Sequence, residues 1–236
     1  REFTDGRVEV CYQKRFYKSV LTKDEQEKPE EFGKLEFVSE STSDVETPYG
    51  KSSKTTWKWK IPNTNIEFET SFIRPEGDGY QNLLIFETST DTGIESTSIE
   101  DFDVPVLNFP VFKNQSYNKR IFTYKDLVFC PGARDFDYLT SPICLFDDDK
   151  NTAIVSALNH FVTNGVKKRP LKKTEFEIAC GVNGEVTEVP ENHSHRYIMV
   201  FNQGINNSFK CWGDLLLEYT GVSREDKDKY REEDLK

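Results

Sequence analysis

Apolar side chains in this chain recur at every second residue, in short runs separated by Gly, Pro, Asn and Asp. That period belongs to strands rather than helices. Val8, Val10 and Tyr12 alternate over 7–13, and Ile66, Phe68 and Thr70 over 65–73. Over 55–61 the alternation puts Trp57 and Trp59 on one face and Lys58 and Lys60 on the other. Residues 83–86 are a continuous apolar run, as expected of a strand buried on both faces. Runs at 34–39, 104–112, 120–124, 127–130, 142–146, 152–157 and 196–201 also fit strands. Residues 176–180 and 184–189 fit a hairpin turning through Gly181-Val182-Asn183-Gly184. Segments 23–34 (Glu, Lys, Pro) and 39–56 (Ser, Thr, Asp) read as exposed loops, the second with room for a weak strand. So many short strands imply an all-β fold, a large antiparallel β-sandwich.

One segment has the helical period instead. Phe209, Trp212, Leu215, Leu216 and Tyr219 fall three and four apart on one face. Asn206, Asn207 or Ser208 is placed to cap its start, and Gly221 closes it. The expected organisation is a sandwich over 1–202, a connecting helix over 203–221 and a charged linker over 222–236 leading towards a further domain.

Composition narrows the function classes. With 41 acidic and 31 basic residues the formal charge is −10, which disfavours a phosphate backbone or an anionic membrane surface but leaves neutral sugars unaffected. No apolar run is long enough to span a bilayer, and no signal-peptide pattern precedes Arg1. Apolar residues are only 36% of the chain, yet aromatics reach 13%, enough to build a core with few aliphatics.

Cys11, Cys130, Cys144, Cys180 and Cys211 are widely and irregularly spaced, without a C-x-x-C or a His/Cys cluster, so no metal site is expected. Buried thiols and one or two disulfides both fit the count. Sequons at Asn114, Asn192 and Asn206 point to a secreted, extracellular glycoprotein.

The stretch SPICLFDDDKNTAIVSALNHF joins a flat strand, a turn at Asp147-Asp148-Asp149 and a second strand, and is followed by EIACGVNGEVTEVPENHSHRYIMVFNQGINNSFKCWGDLLLEYTG. Together, over Pro142 to Gly221, they resemble the end of the N-terminal β-supersandwich of raffinose-synthase and α-galactosidase-like glycoside hydrolases. In that family a helix with a Trp-Gly-Asp segment, here Trp212-Gly213-Asp214, leads into a catalytic (β/α)₈ barrel. The resemblance implies a galactose-mutarotase-like supersandwich and a parent protein of glycosidase or glycosyltransferase type. It implies that the partner is the C-terminal barrel, that the family's catalytic aspartates lie on barrel strands, and that Asn159 and His160 approach a substrate there.

Candidate chemistry within the chain is thin. The Asp147-Asp148-Asp149 run lacks the spaced ligands of a calcium loop and fits a hairpin turn. Asp135, Asp137 and the acids over 100–103 supply carboxylates, and retaining glycosidases need a pair about 5 Å apart. His193 and His195 share a strand face, without identifiable further ligands for a metal. No G-x-S-x-G and no Gly-rich phosphate loop are present, so no catalytic residue and no cofactor are assigned. Trp57, Trp59, Tyr49 and Tyr80 are candidate platforms for stacking a sugar, although the favoured reading of the two tryptophans is that they point into the core. The leading expectation is a non-catalytic accessory domain of a carbohydrate-active protein. The alternative is a free-standing secreted binding protein for a sugar or a protein, and the sequence beyond Lys236 would separate them.

Overall fold

The structure is a computed structural model that describes residues 6–114, 120–125, 128–132, 138–139, 141–170 and 176–225, the side chains of 114, 124, 125, 128–132, 138, 139 and 170 excepted. The strands run β1 (Arg7–Tyr12), β2 (Arg15–Lys18), β3 (Phe32–Lys34), β4 (Glu36–Thr47), β5 (Gly50–Lys60), β6 (Glu67–Pro75), β7 (Leu83–Thr90), β8 (Ile94–Glu95) and β9 (Leu107–Asn114). They continue as β10 (Arg120–Lys125), β11 (Val128–Gly132), β12 (Tyr138–Leu139), β13 (Ile143–Phe146), β14 (Asn151–Ala157), β15 (Asn164–Pro170), β16 (Phe176–Val182), β17 (Glu188–Val189) and β18 (His193–Gln203). Two helices are described, α1 (Lys23–Gln26) and α2 (Ile205–Thr220).

The fold is all-β. A seven-stranded sheet in the order β12-β15-β16-β9-β1-β2-β3 faces a nine-stranded sheet in the order β11-β10-β13-β14-β18-β7-β6-β5-β4. Neighbouring strands are antiparallel except β2 and β3, and β17 pairs with β8 in a small third sheet. Val8, Val10, Phe86, Phe109, Phe112 and Ile178 fill the space between the sheets. Phe86 meets Phe109 and Phe112 edge to face, each with ring centroids 5.6 Å apart. Tyr197 crosses the layer, its hydroxyl 3.0 Å from the carbonyl oxygens of Gly165 and Gly181, one of which takes its proton.

The nine-stranded sheet is covered on its other face too, which explains the unbroken apolar run at 83–86. There α2 lays Leu215 on Leu83, Ile85, Ile198 and Val200. The Tyr49 hydroxyl donates to Leu215 O at 2.9 Å, and Trp212 Nε1 donates to Ser156 Oγ at 2.8 Å. Gly221 takes the left-handed conformation, φ 71°, that ends a helix. No described helix is long and apolar enough to cross a membrane.

Four local expectations are corrected. Segment 39–56 is not a loop: β4 and β5 form a long antiparallel hairpin, and β4 lies at the sheet edge with both faces largely exposed. Segment 23–34 contains α1 and β3; Thr22 and Glu25 form a reciprocal capping box at the start of α1. The strand Glu188–Val189 pairs with Ile94–Glu95, not with β16. After β16 the chain packs against 99–104, where Gly184 O accepts from the Ile99 N–H at 3.0 Å and a Cβ on Gly184 would sit 2.1 Å from Asp101 O, so only glycine fits. The cap of α2 is Gly204, whose N–H is bound to Lys150 O at 2.8 Å, with no side-chain cap. Asn206, Asn207 and Ser208 fall within the first turn, where Ser208 Oγ donates back to Gly204 O at 2.9 Å.

Candidate functional site

The alternation on β5 sends Trp57 and Trp59 to the inner face, towards the seven-stranded sheet, and Lys58 outward to an ion pair with Glu67 at 2.7 Å. The nine-stranded sheet reaches further than its partner, so these tryptophans are only half-buried. Beside them opens a cleft of about 760 Å³, a volume in the range of small-ligand sites. Its floor is Trp57, Trp59, Phe72 and Phe86, and the opposite wall carries Val8, Phe109 and Phe112. At its mouth β4 adds a second row. Phe37 stands opposite Trp59 with ring centroids 5.7 Å apart, and Glu40 stands opposite Trp57. Phe37 is 57% exposed, unusual for so large an apolar ring.

Most polar groups of the cleft are already engaged. Trp59 Nε1 donates to Thr70 Oγ1 at 2.9 Å. Ser19 Oγ accepts from the Val8 N–H at 3.1 Å. Arg7 is ion-paired with Glu177. Of the charged side chains among the described lining residues, the exposed carboxylate of Glu40 is the one with no ion-pair partner.

The other candidates lie elsewhere. His160, in a left-handed turn at φ 52°, meets His193 and His195 at the start of β18, with ring centroids 4.8, 5.9 and 6.0 Å apart. Thus all three histidines of the chain converge. His195 is buried with neither ring nitrogen hydrogen-bonded, and His193 Nε2 is buried without a partner. Burial first, then the neighbouring imidazoles His193 and His160, push His195 down to about 3. His193 is lowered by burial and then by His160. Among the described residues no group of three or more His, Cys, Asp or Glu is arranged to hold a metal ion.

Asn159 is spent on structure: Nδ2 donates to Ser194 O at 2.8 Å and Oδ1 accepts from the Arg196 N–H at 2.7 Å, clamping β18. Tyr49 is buried under α2, and Tyr80 donates to Glu218 near the end of that helix, so neither lines the cleft. Asn192 and Asn206 are exposed. The Asn114 side chain, Asp135, Asp137 and the Cys130 side chain lie outside the described residues. Cys11, Cys144, Cys180 and Cys211 are free thiols.

Sequence reasoning missed a buried ion network on the outer face of the seven-stranded sheet. Glu9, fully buried, accepts from Arg169 at 2.8 and 2.7 Å and from Asn108 at 3.2 Å, with Lys18 Nζ at 3.7 Å. Lys18 also pairs with Glu25 of α1. Burial works to raise the Glu9 carboxyl, but Arg169 and Lys18 outweigh it and hold it below the ordinary carboxylate range. Acid among valines is the one signal Glu9 offers, and on a strand that is equally the pattern of a wet face. Phe37 falls in the strand run at 34–39 without being singled out for a site, and Glu40 was missed because it lies in segment 39–56, which reads as a loop.

Fold and site together define a β-sandwich with an aromatic cleft at its open edge. No family model matches the chain, and no curated protein matches it. Among solved structures it is similar to a β-arabinopyranosidase, with a TM-score of 0.45 and 8% identity, over 72% of this chain and 32% of that one. It is also similar to a glycoside hydrolase family 97 enzyme from Pseudoalteromonas sp. strain K8 in complex with acarbose, with a TM-score of 0.43 and 8% identity, over 72% of this chain and 27% of that one. The chain thus spans less than a third of the length of either enzyme.

Proposed function

We propose that this chain is a non-catalytic accessory domain of a carbohydrate-active protein, and that it seats a sugar in the cleft between its sheets. The observation that carries this reading is the pair Trp57 and Trp59, two residues apart on one strand and half-exposed in a ligand-sized cleft. Aromatic faces at that spacing, about 7 Å, suit the apolar C–H faces of one pyranose ring or two successive ones. The resemblance of Pro142 to Gly221 to the raffinose-synthase and α-galactosidase-like supersandwich supports the carbohydrate context and a catalytic barrel as structural partner. The exposed Asn192 and Asn206 support glycosylation and a secreted location.

The test is calorimetric titration of the chain with galactose- and glucose-containing oligosaccharides, together with an assay on aryl galactosides. Binding that is lost in Trp57→Ala and Trp59→Ala, with no turnover, is the expected result. Turnover that disappears when an acidic residue of this chain is replaced would overturn it, and so would failure of every sugar to bind.

A further inference from the structure

The chemistry of the cleft mouth narrows the ligand further, on the reading that the cleft is a sugar seat. We infer that it selects amino sugars carrying a free, protonated amine over neutral or N-acetylated ones. Glu40 and Trp57 are directly opposed across β4 and β5, and Phe37 and Trp59 form the next pair on the same face. The mouth is therefore a small array of three aromatic rings and one carboxylate.

The charges around it are settled elsewhere. The guanidinium of Arg7 is paired with Glu177 and lies 3.9 Å from Glu25, in the ion network on the outer face of the seven-stranded sheet. Further along β4, Asp44 is paired with Lys51 at 2.8 Å. Among the described residues lining the cleft, Glu40 is the charge left without a counter-ion. An ammonium group brought there gains a carboxylate and the negative faces of aromatic rings at once. The chain's formal charge of −10 favours its approach. Acetylation removes the charge and both interactions, and a uronic acid would meet Glu40 as a like charge.

The experiment titrates the chain with the trimers of glucosamine, N-acetylglucosamine and galacturonic acid, reading heat and tryptophan fluorescence. It is run at about pH 6, below the range of an ordinary amine. The glucosamine trimer is expected to bind roughly tenfold more tightly than its N-acetyl form. Glu40→Gln should bring that ratio close to one by weakening the glucosamine trimer roughly tenfold. Glu36→Gln removes the same charge from the outward face of β4 and should keep the preference, which separates local recognition from the net field. Equal binding of the two trimers, or a preference that survives Glu40→Gln, overturns the inference alone. Failure of all three trimers while the galactose- or glucose-containing oligosaccharides bind also overturns the inference alone; failure of those sugars as well overturns the sugar reading beneath it.

Discussion

The three converging histidines make the stability of this fold acid-sensitive, by an amount that follows from burial. In an unfolded chain a histidine titrates near ~6.5. In the folded chain His195 is pushed down to about 3, by burial first and then by His193 and His160. Its folded value lies below its unfolded one, so the neutral fold is at no disadvantage above about pH 7. As pH falls through ~6.5 the unfolded state takes up a proton that the folded state refuses, and stability declines until about pH 3. Between about pH 7.5 and pH 5 this one residue removes about 2 kcal/mol, by linkage. Among the described residues the charges acting on His195 and His193 are the neighbouring imidazoles, which add to the loss; Tyr197, 5.2 Å from His195 between ring centroids, stays neutral throughout. The assay is urea denaturation at those two pH values for the wild-type chain and for His195→Phe, which keeps a ring against Tyr197 but cannot titrate. The wild type should lose about 2 kcal/mol more than the variant on acidification. Equal losses would refute the reasoning, because they would mean that His195 accepts its proton as readily in the fold as out of it.

Two further outcomes follow from buried groups. Glu9→Gln leaves Arg169 and Lys18 without their shared carboxylate and should cost about 3 kcal/mol in denaturant unfolding; a change below about 1 kcal/mol would mean that water or a second anion replaces it. Burial pushes the Cys144 thiol up to about 12 and Cys11 up to about 11, and raises Cys180 as well. In the native protein a thiol-specific disulfide reagent should therefore modify the half-buried Cys211 before any of these three, as read by peptide mapping.

The fold was legible wherever one face of a strand is dry. The Trp–Lys alternation of β5 and the Val8 and Val10 pair reported their faces directly. Legibility failed at β4, whose Glu, Ser and Thr residues carry no period because an edge strand with two wet faces needs none. It failed again at β15, where Lys168 is buried with its ammonium over the Phe176 ring. The pairing of β17 with β8 joins residues almost a hundred positions apart, which no local turn signal encodes. The site divides in the same way. Two histidines on one strand face were readable, while His160 joins them only through the tertiary turn that follows β14.

The unequal reach of the two sheets accounts for both the cleft and the exposed edge. Had the seven-stranded sheet reached as far as the nine-stranded one, Trp57 and Trp59 would be closed core residues and Phe37 would be covered. Instead β4 and β5 overhang, so aromatic residues chosen for a core face remain partly open, and Glu40 lies where they end. An edge strand exposed on both faces also invites pairing with a second chain. Glu36, Glu40, Asp44 and Glu46 oppose that, because two copies of β4 side by side would bring eight carboxylates together, four from each strand. Glu40 thus contributes both to keeping the edge solitary and to charging the cleft mouth, and a change at this position should alter association and ligand preference together.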